Sequence, residues 1–345
     1  MVQAYPPFFL FGMGRREKFV YQNGTLTAWP SMRTVFCRTV VDEQILPAAY
    51  TVRLTTPQGA LTVREDEQGV YWEENGTAVC LTEGPLCLPT FAQYRYRDAL
   101  RILHHEVCIN IVDGKPVPNL FVYNKPWYRD SAMMLMALEA TGNAQLLADW
   151  VSGIDDLYDR NNAGNEESDN LGQLLYLLGR TGNRDHPLIP AALAEARRLV
   201  TDGVLTGTTD FAPHPVYQTK WLKLGLAAVG EDAAWLKIPA VPDSYSGLFW
   251  MDGHADGDAV CAYDAYYPYL SWARLHTAKT PLTGVYLEDA EHPQYPISSE
   301  TNASQARYEN LRPLFPAAAD SRCAAPHSWH AAEMFLYLLT FKNEA

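Results

Sequence analysis

The first ninety residues carry short runs in which apolar and polar positions alternate, with the period of half-buried β-strands. Three turn signals separate these runs: Asn23-Gly24, Pro57-Gln58-Gly59 and Asn75-Gly76. Asn-Gly between alternating runs is the strongest short-range signal for a hairpin with a type I′ turn. The pattern therefore predicts a small antiparallel β subdomain over residues 1–90.

After residue 90 the spacing of apolar positions becomes that of helices. Four leucines lie at the i, i+3, i+4 and i+7 positions of one helix face: Leu171, Leu174, Leu175 and Leu178. Residues 191–200 mix apolar positions with arginines, as an outer helix does, whereas residues 334–339 are apolar all round, as a buried helix is. Buried and amphipathic helices in alternation, about ten in all, predict two concentric layers. The expected fold is mainly α, with a helical toroid over residues 91–345.

Composition narrows the function classes. The 345 residues are 48% hydrophobic and 19% charged, which is typical of a globular protein. A net charge of −13 argues against a nucleic-acid or anionic-membrane partner, and no apolar run reaches the roughly 18 residues of a membrane helix. The six dispersed cysteines favour neither a zinc site nor a disulfide framework. We expect a cytoplasmic protein without metal or cofactor, and the sequence leaves a homodimer open.

Two segments place aromatic residues beside carboxylates in loops that lead into helices. In Trp127-Tyr128-Arg129-Asp130, the Arg can donate to vicinal sugar hydroxyls and the Asp can accept from them. The alternative is a plain helix cap beside a stacked tryptophan. Asp210 lies among apolar residues and prolines, where burial would raise its pKa, as a general acid at neutral pH requires. An ordinary capping Asp is the alternative there.

Two further segments lie towards the C-terminus. Glu309, between Tyr308 and Asn310, could hold and deprotonate a water, although a solvated helix glutamate is the simpler interpretation. His327 and Trp329 lie where a polar loop opens into the most apolar helix, which suggests a pocket.

Two weaker places could line the same site. The acidic run with Glu167 and Asp169 could deliver a carboxylate, or be an ordinary helix start, and Asp264 among tyrosines could line a cleft or cap a helix. No phosphate-binding glycine motif and no serine nucleophile elbow is present.

Taken in order, these motifs resemble those of (α/α)6 glycosidases. Residues 127–130 resemble the W-x-R-D loop of glucoamylase-like and neutral-invertase-like enzymes. Residues 209–213 resemble the loop with the general acid in trehalase and processing α-glucosidase relatives. Residues 308–310 with Pro313, followed by residues 327–329, resemble the segment with the general base in that group. The resemblance covers roughly residues 90–343 and is carried by the order of short motifs.

The resemblance implies an (α/α)6 toroid and an inverting mechanism, with the two catalytic carboxyls about 6.5–9.5 Å apart. Asp210 would protonate the leaving oxygen and Glu309 would activate water. Arg129 and Asp130 would bind the glycone. Substrate-binding residues are expected from the same segments and from the two weaker places: Trp127, Tyr128, Arg129, Glu167, Asp169, Tyr217, Asp264, His327 and Trp329.

The sequence departs from the family pattern in two ways. Asp210 and Glu309 are 309 − 210 = 99 residues apart, a short separation for these families, and the usual Thr-Gly after Pro313 is missing. Glu300 or Glu333 could therefore replace Glu309 as the base. In the invertase-like branch the Asp of the Arg-Asp pair is itself the acid, which would make Asp130 catalytic.

The sequence thus predicts a glycoside hydrolase that acts on a small α-linked glucoside or oligosaccharide. One alternative is a sugar epimerase on the same toroid, which would use paired histidines such as His214, His254, His327 and His330. Others are an unsaturated-uronyl hydrolase and a non-catalytic carbohydrate-binding protein.

Overall fold

A computed structural model describes residues 4–241, 243, 245, 294–339 and 341–343. Within these residues the chain has fifteen β-strands and only eight α-helices, a mixed α/β architecture. The prediction of a mainly α, (α/α)6-type toroid is therefore wrong. One physical reason is that the apolar residues around 111–116 and 200–205 form short antiparallel strand pairs, whereas the sequence after residue 90 was interpreted as helices joined mostly by short loops.

Nine strands form two antiparallel sheets, each in simple chain order. The four-stranded sheet contains β1 (Phe8–Phe11), β2 (Lys18–Gln22), β3 (Thr25–Trp29) and β4 (Thr34–Cys37). The five-stranded sheet contains β5 (Asp42–Leu46), β6 (Thr51–Thr56), β7 (Gly59–Glu65), β8 (Gly69–Glu74) and β9 (Thr77–Glu83).

The prediction of an N-terminal antiparallel β region is confirmed. The three predicted turns join β2 to β3, β6 to β7 and β8 to β9. Asn23 and Gly24 have φ angles of 44° and 74°, and Asn75 and Gly76 have 52° and 80°. Positive φ at both central residues is the type I′ geometry that Asn-Gly favours.

The described residues also form eight α-helices and six further short strands. The helices are α1 (Arg97–Ile109), α2 (Tyr128–Ala140), α3 (Ala148–Ser152), α4 (Asp169–Arg180), α5 (Leu188–Leu199), α6 (Pro215–Val229), α7 (Pro316–Asp320) and α8 (Ser328–Leu338). The short strand pairs are β10 (Ile111–Val112) with β11 (Lys115–Pro116), β12 (Val200–Thr201) with β13 (Val204–Leu205), and β14 (Glu300–Thr301) with β15 (Cys323–Ala324).

The chain divides into two compact units. Unit 1 comprises Met1–Asn124, Ala137–Leu146 and Glu288–Ala345, and unit 2 comprises Lys125–Met136 and Leu147–Leu287. The core of unit 1 contains aromatic rings from distant parts of the sequence: Phe8 and Phe315 lie 4.7 Å apart between ring centroids. Helix α1 of this unit packs against α8.

Helices α4 and α6 of unit 2 cross at very short range because glycines lie at the crossing. A Cβ on Gly172 would lie 2.3 Å from the backbone carbonyl carbon of Trp221, and a Cβ on Gly225 would lie 2.3 Å from the carbonyl oxygen of Gly172. The four leucines of the predicted helix face are buried in α4, as are all residues of this helix from Asp169 to Gly179. This crossing holds the start of α4 beside the loop that leads into α6.

We predict that Gly172→Ala lowers the free energy of unfolding by about 1–3 kcal/mol, because the added methyl group forces two packed backbones apart. Urea denaturation measures this change. Gly153→Ala is the matched control in unit 2, since its Cβ would meet no atom closer than 3.6 Å. A Gly172→Ala protein as stable as the Gly153→Ala protein would contradict the close crossing.

Candidate functional site

Arg129, in the first turn of α2, is the centre of a group of carboxylates within unit 2. Its Nη2 lies 3.1 Å from Oδ1 of Asp210, and its Nη1 lies 3.7 Å from Oε2 of Glu167. The Arg129 side chain is 13% exposed and that of Glu167 is 3% exposed, so solvent screens this pair weakly. Burial alone would lower the pKa of Arg129, but the negative charge of Asp210 raises it well above the ordinary value.

Two hydrogen bonds tie the Asp210 loop to the segment before α4. The backbone N–H of Asp210 donates to Oε1 of Glu167 at 2.8 Å, and that of Ser168 donates to the carbonyl of Thr208 at 3.2 Å. The Asn161 side-chain amide also donates to Oε1 of Glu167. Glu167 therefore has two structural donors and one cationic neighbour, which fix its orientation.

Two buried aspartates complete the charge distribution. Burial and the nearby negative charge of Glu167 raise the pKa of Asp169 to about 6, although Arg129 opposes the shift. Burial likewise raises the pKa of Asp159 to about 7, while the backbone N–H of Tyr128 and the Arg129 charge oppose it. We call Arg129, Asp159, Glu167, Asp169 and Asp210 the Arg129 cluster. It contains four carboxyls and one guanidinium, and the pKa values of two of its carboxyls, Asp159 and Asp169, are raised towards neutral pH.

Asp210 is the accessible carboxyl of the cluster. Its side chain is 45% exposed, so the predicted burial of Asp210 is wrong; Glu167 and Asp169 are the buried carboxyls. The hydroxyl of Tyr245 donates to Oδ2 of Asp210, and the guanidinium of Arg129 lies 5.5 Å from the centroid of the Tyr245 ring. Asp210 thus faces solvent on one side and two donors on the other.

Asp243 holds the Tyr245 segment against the start of α6. Its carboxylate accepts backbone N–H bonds from Val216 and Tyr217 at 3.0 Å and contacts Nδ1 of His214 at 3.1 Å. Burial would raise the pKa of Asp243, but the bonds from His214 and the backbone lower it. An ionised Asp243 suits a helix N-terminus, where negative charge is stabilised.

Other residues predicted for the site in unit 2 are buried. Trp127 lies under the Lys125 ammonium, which is 4.0 Å from the ring centroid. Tyr128 donates through its hydroxyl to the carbonyl of Asp156 at 2.7 Å. Asp130 is 4% exposed in the first turn of α2.

Tyr217 is also buried, and Gln173 joins it to the cluster. The Gln173 amide donates to the Tyr217 hydroxyl at 3.2 Å and to Oδ2 of Asp169 at 2.8 Å. The structure thus brings Arg129, Glu167, Asp169 and Asp210 together and places Tyr217 beside Asp169.

The C-terminal residues belong to unit 1. Nε2 of His327 lies 2.8 Å from Oε2 of Glu300, whose side chain is 19% exposed. The rings of His327 and His330 are 4.3 Å apart between centroids, and Nδ1 of His330 is bonded to the carbonyl of Ser299 at 2.8 Å. The half-buried ring of Trp329 lies 5.8 Å from that of His330.

The environment of Glu309 differs from that expected of a catalytic base. Its side chain is 80% exposed and lies 2.9 Å from Nε of Arg312, which lowers the pKa of Glu309. These are the surroundings of a solvated surface glutamate. Glu333 is buried in α8. Asp264 and His254 lie outside the described residues.

Sequence reasoning missed three residues. Asp159 follows Asp155 and Asp156, so its local sequence is that of an acidic turn, and Tyr245 lies in no recognisable motif. Glu106 in α1 accepts the backbone N–H bonds of Ile297 at 2.6 Å and Ser298 at 2.9 Å, and burial raises its pKa to about 7. No local signal reveals these environments, because each depends on residues distant in sequence.

The cluster can bind hydroxyl groups and transfer protons. Its carboxylates accept hydrogen bonds, Arg129 donates them, and the raised pKa values of Asp159 and Asp169, about 7 and about 6, let these carboxyls exchange protons near neutral pH. Among the described residues, no group of three or more His, Cys, Asp and Glu side chains is arranged to hold a metal ion. Nor does any helix in the described part of the chain have the length and apolar character needed to cross a membrane.

Comparison of the chain with protein-family models, with curated proteins and with solved structures found no match. The case for a function therefore rests on the geometry of the site and on the motifs in the sequence.

We predict that the raised pKa of Asp169 makes stability fall as pH rises. An acid with a higher pKa in the folded protein than in the unfolded chain binds its proton more tightly when folded. Its contribution is fully present below about pH 4, the ordinary aspartate value, and is lost as pH rises through its folded pKa of about 6. Thermal unfolding midpoints between pH 5 and pH 8 measure the loss.

Asp169→Asn should reduce this decrease, because an amide stays neutral at every pH in the range. The exposed Asp202 provides the control, Asp202→Asn, which should keep the wild-type profile. If Asp169→Asn and wild type lose the same stability between pH 5 and pH 8, Asp169 is already ionised at pH 5 and the assignment fails.

Proposed function

We propose that the chain is a glycoside hydrolase that acts on a small α-linked glucoside or oligosaccharide, with the glycone bound at the Arg129 cluster. The observation that carries the proposal is the pairing of Arg129 with two carboxylates, the buried Glu167 and the accessible Asp210. A guanidinium between carboxylates offers alternating donors and acceptors, which match the hydroxyl groups of neighbouring sugar carbons.

The net charge of the cluster supports a neutral sugar as the substrate. Four carboxyls surround one guanidinium, so even with two of them protonated the group is negative. A uronic acid would bring another carboxylate into these poorly solvated surroundings, where like charges repel strongly. The negative charge of the cluster therefore disfavours the unsaturated-uronyl hydrolase alternative.

Asp210 is our candidate for the general acid. It is accessible to substrate, and its side chain is held by Arg129, whose Nη2 lies 3.1 Å from Oδ1 of Asp210. In the proposed step its proton moves to the glycosidic oxygen as the bond from that oxygen to the anomeric carbon breaks. A water oxygen bonds to the anomeric carbon from the opposite face and gives its proton to a base. Asp130 is the weaker candidate because it is buried.

Glu309 is not our candidate for the base. Its side chain is 80% exposed and lies 2.9 Å from Nε of Arg312, so it lacks the sheltered, fixed orientation that a water-activating carboxylate needs.

The histidines in the described part of the chain give the epimerase alternative no support. An epimerase would need two histidines on opposite faces of a sugar ring, yet the rings of His327 and His330 are in contact and leave no space for a sugar between them. His214 is bonded to Asp243. We therefore do not propose this activity.

We predict that Asp210→Asn lowers kcat/KM for the best disaccharide of an α-glucoside panel by about 10²–10⁴-fold, the contribution expected of a general acid. Hydrolysis of α-glucosyl fluoride should fall far less, because fluoride leaves without a proton. Nuclear magnetic resonance of the first-formed anomer tests inversion. Asp202→Asn is the control for charge removal at a surface position.

Glu309→Gln in the same assay should stay close to wild type on both substrates, because Glu309 is a solvated surface residue beside Arg312. Full disaccharide activity in Asp210→Asn would overturn the acid assignment. A wild-type protein inactive on the whole panel, including the fluoride, would overturn the proposed hydrolase function.

A further inference from the structure

Asp210 and Phe211 occupy a two-residue turn of unusual composition. The backbone of Thr209 pairs with that of Ala212 through two hydrogen bonds of 2.8 Å and 3.1 Å. Asp210 has a φ of 46° and Phe211 a φ of 69°. Two residues with positive φ between a hydrogen-bonded pair form a turn of the type I′ kind.

The same chain builds its structural hairpins from different residues. Asn23-Gly24 and Asn75-Gly76 adopt closely similar φ angles, and both are the Asn-Gly sequence that this turn favours. Phe211 takes the place that glycine holds in those two hairpins. A residue with a Cβ strains the backbone there by roughly 1–2 kcal/mol.

Packing of the Phe211 side chain does not offset this strain. The residue is 61% exposed, the highest exposure among the large aromatic side chains of the described residues. Burial of apolar surface is the usual reason to keep a phenylalanine, and little of it is realised in the free protein. The strained turn therefore places an exposed aromatic ring at the position that follows Asp210, the accessible carboxyl of the Arg129 cluster.

We propose that Phe211 is the stacking surface of a leaving-group subsite, which takes a six-membered ring, sugar or aryl, attached to the oxygen that Asp210 protonates. This inference rests on the proposed function and specifies its substrate class. The glycone hydroxyls need the polar groups around Arg129, and Phe211 has no polar side-chain atom to offer them. Its ring suits the apolar face of the next ring along the substrate, which lies on the other side of the bond that is cleaved.

The test compares Phe211→Gly and Phe211→Tyr with wild type on two substrates, an α-linked disaccharide and methyl α-glucoside. Phe211→Gly should raise the thermal unfolding midpoint, because glycine relieves the turn strain. It should also lower kcat/KM for the disaccharide by about tenfold or more, mainly through KM. Methyl α-glucoside, which needs the same proton from Asp210 but has no leaving-group ring, should be affected far less. Phe211→Tyr should retain disaccharide hydrolysis, because it keeps the ring.

Trp235→Ala is the matched control, since Trp235 is another exposed aromatic residue of unit 2, placed after α6. Trp235→Ala should leave kcat/KM unchanged for both substrates. Two results would overturn the subsite. One is unchanged disaccharide hydrolysis in Phe211→Gly. The other is an equal loss on the disaccharide and on methyl α-glucoside, which would mean that the turn only positions Asp210.

Calorimetric binding of phenyl and methyl α-glucosides distinguishes failure of the subsite from failure of the hydrolase. If wild type hydrolyses nothing but binds the phenyl glucoside more tightly, and Phe211→Gly loses that preference, the stacking surface stands and the hydrolase fails. If wild type prefers neither glucoside, the subsite is overturned whatever the catalytic result.

Discussion

The balance of charge around one guanidinium is the constraint on which the site depends. Arg129 is the cationic member of a group that contains Asp159, Glu167, Asp169 and Asp210. Burial raises the pKa of Asp159 to about 7 and that of Asp169 to about 6, and the Arg129 charge opposes both shifts. The same balance favours neutral, hydroxyl-rich ligands, and it leaves Asp210 as the carboxyl that a ligand can reach.

The fold of unit 2 supplies that arrangement through close helix packing. Gly172 and Gly225 let α4 and α6 approach until their backbones touch. The start of α4 then lies beside the loop before α6, and Glu167 accepts the backbone N–H of Asp210. A mixed α/β chain can thus bring these carboxylates together, although the sequence led us to expect that a helical toroid would do so.

Local signals were readable from the sequence, and long-range ones were not. The Asn-Gly turns predict hairpins because the turn conformation depends on the two residues themselves. The predicted number of helices was wrong because the spacing of apolar residues does not distinguish a short hairpin such as β12–β13 from a helix. Arg129 and Asp210 were found through their aromatic and proline neighbours. Asp159 was missed because its burial depends on the folded chain. Glu309 was predicted to be the base because its contact with Arg312 also depends on the folded chain and has no local signal in the sequence.

Sugar binding by an Arg129→Lys protein tests the central claim most directly. Lysine keeps the positive charge but loses the planar fork that pairs with two carboxylates and with vicinal hydroxyls. Calorimetric titration with methyl α-glucoside should show binding to wild type, a loss of affinity of about tenfold or more in Arg129→Lys, and no binding of the corresponding glucuronide to either protein. Equal affinity of the folded Arg129→Lys protein and wild type for the glucoside would contradict the account.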